Sequence, residues 1–412
     1  MDRPIRMLTL SSLYPSSARP RHGIFVENRL AKLVSGGNVS ARVVAPVPWF
    51  PFTSGAFGQY SRYAATPHTQ CRHGIDVVYP RYPMLPRVSS AWQPTAVAWA
   101  AGRSAAQMRT HGFDFDLIDA HYFYPDGVAA AVVAARCGRP LVITARGSDI
   151  NVIAQSVEPQ RRILEAARFA SAIISVSAAL KMKMVDLGID SQRIQVFRNG
   201  VDLHTYAPVA QAAARAALGL GSGPVVASVG NLVPGKGHDL ALRAIARLDA
   251  VTLVVVGGGP QRALLIRLAQ ELGICSRVRF TGELVPQQMP AVYSAADLVV
   301  LASDNEGWPN VVLEAMACGV AVVAANVGGV REILTADVAG TIVAERTVDA
   351  FAAAISDRLA RVSQPYAVRA FASQFSWDEV VRQQTDLYRS VVAERGSRAA
   401  STRSDDHEAW LT

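Results

Sequence analysis

Apolar strand-like runs alternate with helical patterns along most of the chain, and this alternation limits the possible folds more than any other feature. In the first half the strand-like runs are IRMLTLSS, VSARVVAP, LIDAH, PLVITA, SAIISVS and RIQVF, with amphipathic patterns such as FVENRLAKLV between them. A second series begins near Pro224 with PVVASVG, VTLVVVGGG, RVRFTG, DLVVLAS and VAVVAA. Such alternation is typical of parallel sheets covered by helices on both faces. The sequence therefore predicts an α/β chain with two doubly wound sheets.

The strand pattern stops between the two series, in the stretch RNGVDLHTYAPVAQAAARAALGLGSG. Asn199-Gly200 favours a turn there, so we place the domain boundary at about residue 205. After the second series, Ser376 is a suitable N-cap for an amphipathic helix, and the polar end of the chain has the composition of a disordered tail. The predicted parts are domains 1–205 and 206–375, a C-terminal helix at 376–395 and a disordered tail at 396–412.

Composition narrows the class of protein. The longest uncharged run, residues 43–61, holds three prolines and two glycines, so it is not a membrane-spanning helix. The N-terminal MDRPIRMLTLSSLYP has too short an apolar core for a signal peptide and is interpreted as a first strand. Four cysteines, Cys71, Cys137, Cys275 and Cys318, are widely spaced and are interpreted as reduced core residues rather than metal ligands. A soluble, cytoplasmic protein is expected.

The charge is uneven along the chain. Its formal net charge is +8, and residues 1–205 hold 23 Lys and Arg against 13 Asp and Glu, which leaves the remainder slightly acidic. A basic first half suits an anionic partner: nucleic acid, a phospholipid surface or a phosphate-bearing substrate. The alternative is that the arginines of this half only increase the solubility of the protein.

The loop GNLVPGKG, residues 230–237, follows a predicted strand and precedes a predicted helix. Its G-x-x-x-x-G-K spacing is that of a phosphate-binding P-loop, but Gly237 replaces the Ser or Thr that would hold magnesium. Lys236 beside a helix N-terminus still suits a diphosphate, whereas a surface lysine in a glycine turn is the alternative. No G-x-G-x-x-G fingerprint follows a strand, so nicotinamide chemistry is disfavoured and no cofactor is expected.

Asp114-Phe115-Asp116 has the spacing of a D-x-D metal motif. The two acids stand just before the predicted strand LIDAH, where exposed acids entering a strand explain them as well. We therefore expect no metal site there.

Seven residues separate the two glutamates of EGWPNVVLE. Glu306 follows the predicted strand DLVVLAS, and Glu314 falls inside the helix that begins near Pro309. A carboxylate accepts hydrogen bonds from hydroxyl groups, and the free N–H groups between Trp308 and Val311, among them that of Asn310, suit an anion. Hydroxyl groups together with phosphate describe a sugar nucleotide. A helix carrying an N-terminal acid would explain Glu314 but not Glu306.

These segments together resemble a known family. EGWPNVVLEAMACGVAVVA resembles the E-x7-E signature of retaining family 4 glycosyltransferases. VGNLVPGKGHDLALRA, VVVGGGP, RVRFTG, FRNGVD and VGGVREIL resemble the other recurrent segments of that family, in the same order. The resemblance extends from Tyr14-Pro15 to the C-terminal helix. The segments HYFYPDG and TARGSDIN resemble those of the family branch that builds bacterial exopolysaccharide and teichuronic-type polymers.

The resemblance implies a GT-B fold: two Rossmann-like domains with an interdomain cleft, and a C-terminal helix that returns to the first domain. It also implies roles for matching residues. Glu306 would hold the donor sugar hydroxyls, Glu314 the ribose hydroxyls and Lys236 the diphosphate. The backbone around Gly23 would approach the phosphates from the first domain, and Trp308, Asn310 and Val311 would contact the donor.

Two positions depart from the family pattern. Asn231 stands where members commonly have Arg, and Arg146 stands where they often have His. Arg146 would then supply the missing positive charge to the leaving diphosphate, but it is no general base near neutral pH. The candidate acceptor contacts are His121, Asp126, Arg146 and Asp149, although Asp126 after Pro125 is also a suitable helix N-cap.

The implied activity is that of a retaining, metal-independent glycosyltransferase. It would move a sugar from a UDP- or GDP-linked donor to a glycan or lipid-linked acceptor in bacterial polysaccharide or glycolipid synthesis. Retention without an attacking side chain is expected to proceed on one face of the sugar, with the departing phosphate oxygen taking the acceptor proton. The alternatives are a sugar-nucleotide 2-epimerase of the same fold and a catalytically silent partner subunit. No nucleic-acid partner is expected.

Residues 47–74 form a long segment between two strand-like runs of the first domain. The segment lacks a clear secondary-structure pattern but holds six Trp, Phe and Tyr residues, so it should be at least partly ordered. Aromatic rings near a basic domain suit peripheral binding to an anionic membrane at the inner face of the cell. Packing of the rings under the segment as a small separate core is the alternative.

Overall fold

The structure is a computed structural model that describes residues 3–84 and 92–408. The chain divides into two compact units. The first comprises Met1–Val176, Leu180–Phe197 and Asp378–Thr412, and the second comprises Ser177–Ala179 and Arg198–Trp377.

Each unit is built on a mainly parallel sheet. The strands of the first unit are β1 (Ile5–Leu10), β2 (Val39–Val44), β3 (Val47–Pro48), β4 (Thr69–Arg72), β5 (Ile75–Val78), β6 (Arg81–Tyr82), β7 (Leu117–His121), β8 (Leu141–Ala145), β9 (Ala172–Ser175) and β10 (Ile194–Val196). The helices up to this point are α1 (Ile24–Ser35), α2 (Gln59–Ala64), α3 (Gln93–Thr110), α4 (Val128–Cys137), α5 (Ser148–Asn151), α6 (Val157–Phe169) and α7 (Ala178–Asp186).

The main sheet of the first unit has the order β10-β9-β8-β7-β1-β2-β5-β4, and β3 pairs with β6 in a separate two-stranded sheet. Every pair in the main sheet is parallel except β4 with β5. The chain order reverses between β1 and β7. In open sheets of this kind, ligands collect at the carboxyl ends of the strands beside such a reversal.

The second unit repeats the plan. Its strands are β11 (Val225–Val229), β12 (Thr252–Val256), β13 (Val278–Gly282), β14 (Leu298–Leu301), β15 (Val322–Ala325) and β16 (Gly340–Val343). Its helices are α8 (Gln211–Ala217), α9 (His238–Ala246), α10 (Arg262–Glu271), α11 (Met289–Ala295), α12 (Asn310–Ala317), α13 (Val330–Ile333), α14 (Val348–Ala360) and α15 (Pro365–Ala372). The all-parallel order is β13-β12-β11-β14-β15-β16, so the reversal lies between β11 and β14.

Buried strands explain the apolar runs of the sequence. All residues of β7, β8, β11, β14 and β15 are buried, as expected for strands covered on both faces. In the second unit Val226, Leu253 and Val323 pack with Leu240 of α9 and Phe351 of α14 in one core. The α/β prediction of two doubly wound sheets is confirmed.

Helix α16 (Trp377–Glu408) closes the chain, and its residues from Asp378 onward belong to the first unit. Arg29 of α1 donates from Nε to Oε1 of Gln384 at 2.6 Å, which ties α16 to this unit as predicted. The helix continues past residue 395, where the prediction ended it in a disordered tail. Residues 409–412 of the predicted tail lie outside the described residues.

The change of unit at Arg198 precedes the predicted boundary at residue 205. The chain just after Arg198 bonds within the second unit: the N–H of Val201 donates to the carbonyl of Phe375 at 2.8 Å, and Nε1 of Trp308 donates to that of Asn199 at 3.0 Å. Contacts distant in sequence, rather than the local turn, assign these residues to the second unit.

Residues 47–74 contain β3, α2 and β4, so the expectation that this segment is at least partly ordered is confirmed. The expectation for the cysteines is wrong in part. The cysteines are free but are not all in the core: Cys71 and Cys275 are exposed, Cys137 is intermediate and only Cys318 is buried. Among the described residues, no helix is both long and apolar enough to span a membrane.

Candidate functional site

Three loops meet at the carboxyl edge of the second sheet because they follow the neighbouring strands β11, β14 and β15. The N–H of Asp304, after β14, donates to the carbonyl of Gly235, after β11, at 2.8 Å. On the other side, the N–H of Gly329, after β15, donates to the carbonyl of Gly307 at 3.3 Å. These bonds hold the predicted diphosphate loop against the loop that carries Glu306.

Gly237 shows why the P-loop hydroxyl is missing. Its φ is +71°, and a Cβ there would lie 2.0 Å from the carbonyl oxygen of Ala302. Only glycine fits both the backbone angle and the close approach. A Ser or Thr would force the two loops apart, so this turn holds Lys236 without offering a magnesium ligand.

Lys236 and Glu306 lie together at this edge. Nζ of Lys236 donates to Oε1 of Glu306 at 2.7 Å, and Oγ of Ser303 donates to the same oxygen at 2.7 Å. The lysine side chain is 33% exposed and that of the glutamate 11% exposed. A cation and a carboxylate thus stand side by side at the surface of the sheet edge, with the carboxylate oriented by a buried serine.

Glu314 lies on α12, as the sequence predicted. Its Oε2 accepts a hydrogen bond from the hydroxyl of Tyr293 at 2.7 Å. Tyr293 is fully buried on α11, and burial together with Glu314 raises the pKa of its hydroxyl well above the usual value, so it remains a donor. Sequence reasoning missed this partner because no local spacing links α11 to α12.

The other predicted donor contacts differ in their exposure. Trp308 is buried, and its Nε1 donates to the carbonyl of Asn199. Oδ1 of Asn310 accepts from Nδ2 of Asn199 at 3.1 Å. Asn231 is exposed at the start of the diphosphate loop, and Val311 is half-buried in the first turn of α12. In this structure Trp308 anchors the first residues of the segment Arg198–Trp377 rather than presenting its ring to solvent.

The carboxyl edge of the first sheet carries a second cluster, centred on His121 at the end of β7. Nη2 of Arg146 lies 2.6 Å from Nδ1 of His121, and Nε2 of His121 lies 2.9 Å from Oδ2 of Asp119. Arg is only a donor, so Nδ1 accepts and Nε2 carries the proton. His121 is 1% exposed, so it contacts Arg146 rather than solvent.

Asp149 holds the loops after β7 and β8 together. Its carboxylate accepts hydrogen bonds from the N–H groups of Phe123 at 2.9 Å, Gly147 at 2.8 Å and Arg146 at 3.1 Å. The side chain is fully buried. Its contacts are with the backbone that positions Arg146.

Asp126 is not a helix N-cap, contrary to that interpretation of the sequence. Helix α4 starts at Val128 without a side-chain cap, and Oδ2 of Asp126 instead accepts from the N–H of Ser12 at 2.7 Å and its Oγ at 2.9 Å. The carboxyl thus ties the loop after β7 to the loop after β1. Nearby, Gly23 has a φ of +71°, and a Cβ there would lie 2.1 Å from the carbonyl of Leu13, which makes glycine necessary.

Two family models match the chain: Glycosyltransferase Family 4 at residues 57–205 and Glycosyl transferases group 1 at residues 211–365. D-inositol 3-phosphate glycosyltransferase from Mycobacterium leprae is 35% identical over 322 residues, which cover 72% of this chain and 74% of the relative. The enzyme of that name from Salinispora tropica is 34% identical over 334 residues, which cover 73% and 69%. The chain belongs to the group 1 and family 4 glycosyltransferases.

Solved structures agree on the fold of this glycosyltransferase. HepE from Anabaena in complex with UDP-glucose has a TM-score of 0.71 and 25% identity, covering 96% of this chain and 100% of that one. Sucrose-phosphate synthase from Thermosynechococcus elongatus has a TM-score of 0.75 and 21% identity, covering 95% and 100%. The GT-B architecture predicted from the motifs is confirmed.

Burial controls the ionisation of the first-unit cluster of the glycosyltransferase. Burial lowers the pKa of His121 to about 4, so the imidazole is neutral at pH 7. Burial also lowers the pKa of Arg146 to about 9, with a contribution from Arg29, and the guanidinium remains charged. Burial opposes ionisation of Asp119, but His121 and Arg146 hold the pKa of that carboxyl below its usual range. The cluster thus presents a fixed cation, not a base.

The D-x-D residues of the glycosyltransferase are engaged by arginines. Asp116 accepts from Nη1 and Nη2 of Arg3 at 2.8 and 2.7 Å, and Asp114 accepts from Arg139 at 2.7 Å. Both carboxylates therefore act in ion pairs before β7. Within residues 3–84 and 92–408 no group of three or more His, Cys, Asp or Glu side chains has metal-binding geometry.

Sequence reasoning also missed the partners behind the first-unit cluster. Arg29 is fully buried and donates to Gln384 and, at 3.0 Å, to the carbonyl of Phe197. A signal was available, because Arg29 stands on the apolar face of α1, three residues after Val26 and four before Leu33. A charged residue at such a position indicates a buried polar contact.

Proposed function

We propose that this glycosyltransferase transfers a sugar from a nucleoside diphosphate donor, UDP- or GDP-linked, to an acceptor hydroxyl, with retention at the anomeric carbon and without a divalent metal. The observation that carries the proposal is the Lys236–Glu306 pair at the carboxyl edge of the second sheet. The pair combines a cation for phosphate oxygens with a carboxylate for sugar hydroxyls. HepE, which shares the fold, has been solved with UDP-glucose.

Each donor group then has a partner in the second unit. Lys236 leaves Glu306 and contacts the diphosphate, while Glu306, still oriented by Ser303, accepts hydrogen bonds from the sugar hydroxyls. Glu314 accepts from the ribose hydroxyls with one oxygen held by Tyr293. Asn231, Asn310 and Val311 stand in the loops around this edge. The pair is only partly exposed, so the donor has to replace the contact that Lys236 and Glu306 make with each other: the diphosphate pairs with the lysine and the sugar hydroxyls with the carboxylate.

Retention follows if bond breaking and bond making occur on the same face of the sugar. The bond from the anomeric carbon to the phosphate oxygen breaks, the acceptor oxygen bonds to the anomeric carbon, and the departing phosphate oxygen takes the acceptor proton. Lys236 and backbone N–H groups stabilise the charge that develops on the diphosphate. The buried arrangement of His121 and Asp149 suits this scheme, since neither is needed as a base.

The first unit is proposed to bind the acceptor. Arg146, held by His121 and Asp149, is its fixed charge, and the loops joined by Asp126 form the surrounding surface. A glycan or lipid-linked acceptor of bacterial polysaccharide or glycolipid synthesis remains our proposal. Relatives named for D-inositol 3-phosphate add soluble phosphorylated polyols to the acceptors that should be tried.

The test is a donor panel in which release of nucleoside diphosphate is measured with Lys236→Ala, Glu306→Ala and, as a control, the exposed Lys183→Ala. Losing one charged stabiliser should cost about 2 to 4 kcal/mol of transition-state stabilisation. Turnover within threefold of wild type for both site variants, with Lys183→Ala also unchanged, would remove the assignment. Excess chelator should leave turnover intact, and the product's anomeric proton coupling should match that of the donor.

We also propose peripheral contact with an anionic membrane through the aromatic segment 47–74. Trp49, Phe52 and Phe57 are 59%, 56% and 44% exposed. The rings of Phe52 and Phe57 stack with centroids 5.3 Å apart, and that of Phe50 lies 5.4 Å from that of Phe57. The rings therefore pack with each other and still present apolar area to solvent. Residues 28–113, which include this segment, hold nine Lys and Arg and one acid, Asp76.

A further inference from the structure

Two arginines come together at the carboxyl edge of the first sheet. Arg19 lies in the loop after β1, and Arg81 lies in β6, directly after β5. Strands β1, β2 and β5 are parallel neighbours, so these two loops emerge at the same edge. Their charges are close enough for Arg81 to lower the pKa of Arg19, an effect added to that of burial.

Neither arginine has an acidic partner among the described residues. Nε of Arg19 and Nη1 of Arg81 are buried without a hydrogen-bond partner there. In the same part of the fold, Arg72 shows the usual solution, since its Nε donates to the buried Glu27 at 2.5 Å. A half-buried cation without a counter-ion is costly, and two adjacent ones cost more.

The remaining contacts of the pair are with neutral groups. The guanidinium of Arg19 lies over the ring of Tyr63 at 5.0 Å from its centroid, and Nη2 of Arg81 donates to the carbonyl of Thr66. His22 interacts with Arg19, and burial, with the charge of Arg19, lowers the pKa of His22 to about 4, so the ring is neutral.

The nearest candidate for a counter-ion is Asp126, whose charge reaches Tyr82 in this cluster. Its carboxyl is bonded to Ser12 and makes no ion pair with Arg19 or Arg81 within the described chain. Burial raises the pKa of Asp126 to about 7, so it is only partly ionised at neutral pH. The cluster therefore keeps an excess of positive charge.

We propose that Arg19 and Arg81 bind an anionic group of the acceptor, a phosphate ester or a carboxylate. The inference rests on the proposed function, because it treats this edge as the acceptor side. Guanidinium groups match the planar or tetrahedral oxygens of such anions in geometry and charge. The tyrosine ring under Arg19 holds one guanidinium in place, and the anion supplies the counter-charge that the described residues do not provide.

Two kinds of acceptor carry such an anionic group: a soluble phosphorylated polyol or sugar acid, and a lipid-linked acceptor with an anionic headgroup. Both present the same group to the arginines. They differ in what lies beyond it, since a lipid would be delivered from a membrane surface and a polyol from solution.

The primary test is calorimetric titration of the full-length protein with inorganic phosphate. We compare wild type with Arg19→Gln, Arg81→Gln and the double variant, using Arg62→Gln as a control because Arg62 is an exposed arginine of the same segment. Wild type and Arg62→Gln should bind phosphate in the millimolar range, each single variant should bind at least fivefold more weakly, and the double variant should show no binding. Equal phosphate affinity in wild type and the double variant, or no binding to wild type, overturns the proposal.

A second measurement identifies the source. Turnover is compared within pairs of acceptors in which one member lacks the anionic group but keeps the inositol hydroxyls: D-inositol 3-phosphate against inositol, and phosphatidylinositol against a neutral long-chain alkyl ether of inositol, both lipids in mixed micelles. Preference for the anionic member of one pair by at least tenfold in kcat/KM, lost in Arg19→Gln and Arg81→Gln, assigns that source. Equal turnover within both pairs in wild type contradicts an anionic acceptor.

Failure of this inference is distinguishable from failure of the proposed function. Binding of UDP or GDP depends on Lys236 in the second unit and should be unchanged in the Arg19 and Arg81 variants. If the nucleotide binds and the sugar donor is turned over, but phosphate affinity does not depend on either arginine, only the inference about the acceptor is wrong. Thermal unfolding of each variant shows whether a loss of binding reflects a loss of folding.

Discussion

In the first unit, the side chain of Arg146 is fixed by contacts with buried neighbouring residues rather than by a ligand. Arg146 is charged because its neighbours are arranged around a cation: His121 offers only a lone pair, and Asp119 balances the buried charge behind it. Asp149 orients the backbone of Arg146 through its three N–H contacts. These buried contacts on the side chain and the backbone of Arg146 make the guanidinium rigid before any substrate binds.

At the residue scale, we expect Asp126→Asn to remove a pH-dependent destabilisation. Burial raises the pKa of Asp126 in the folded protein to about 7, above its unfolded value. The folded state therefore holds a proton that the unfolded state releases, and the contribution of this group to stability falls as pH rises from about 4 to about 7. Asn keeps an acceptor for Ser12 without a charge, so the variant should be more stable than wild type by roughly 2 to 4 kcal/mol at pH 8.

The measurement is urea unfolding of both proteins at several pH values between 4 and 8. The difference between the two proteins is the informative quantity, because the lowered pKa values of His121 and His22 make stability rise with pH over part of the same window. A stability difference that does not grow with pH would show that Asp126 is ionised in the folded state.

At the element scale, α16 is the longest helix, and its attachment depends on polar contacts within the core of the first unit. Arg29 reaches Gln384, and the amide of Gln384 donates in turn to the hydroxyl of Tyr388. All three side chains are buried. Such a network specifies one position of the helix, since sliding α16 by a turn would leave several buried polar groups without partners.

We expect Arg29→Met to destabilise the first unit by about 2 to 4 kcal/mol, because it removes a buried donor from Gln384 and from the carbonyl of Phe197. Arg382→Ala on the same helix is the control: its side chain is 64% exposed and pairs with Glu379 at the surface, so the change should be below about 0.5 kcal/mol. Chemical unfolding followed by circular dichroism measures both. Similar values for the two variants would show that the buried contacts do not stabilise the helix.

At the scale of the whole molecule, the positive charge is concentrated in the first half of the chain, and no single helix or strand accounts for this distribution. Residues 1–205 carry the whole excess of cations, since the remainder is slightly acidic, and they also carry the exposed rings of residues 47–74. Apolar rings and diffuse positive charge act together at a membrane interface, where each basic residue near the surface contributes about 1 kcal/mol.

We therefore expect the protein to sediment with anionic vesicles and much less with neutral ones, and the bound fraction to fall at high salt. Trp49→Ser combined with Phe52→Ser should weaken binding at low salt by about tenfold or more, as the loss of two exposed apolar anchors predicts. Tyr366→Ser is the matched control, since Tyr366 is 90% exposed but belongs to the second unit. Salt-insensitive binding to both vesicle types, or none to either, would favour packing of the rings as a local core.

The sequence by itself determined the architecture. Periodic burial produces the apolar runs, so the two α/β series, most strand positions and the placement of Glu306 and Glu314 on a loop and a helix could be read directly from local pattern. Motif spacing likewise located the diphosphate loop, and the resemblance supplied the family.

Only the tertiary structure decided which distant groups meet. Contacts between segments far apart in the chain bring Tyr293 to Glu314, Ser12 to Asp126 and Gln384 to Arg29. Such contacts also decide the unit to which residues 198–205 belong. Local sequence pattern carries no information about them. The same limit made Asp126 look like a helix cap and the exposed Cys71 and Cys275 look like core residues. Arg19 and Arg81 show it most clearly, because they are 62 positions apart in the sequence and look like ordinary surface arginines there. Parallel strand pairing places both at one sheet edge, where no acid within residues 3–84 and 92–408 pairs with them.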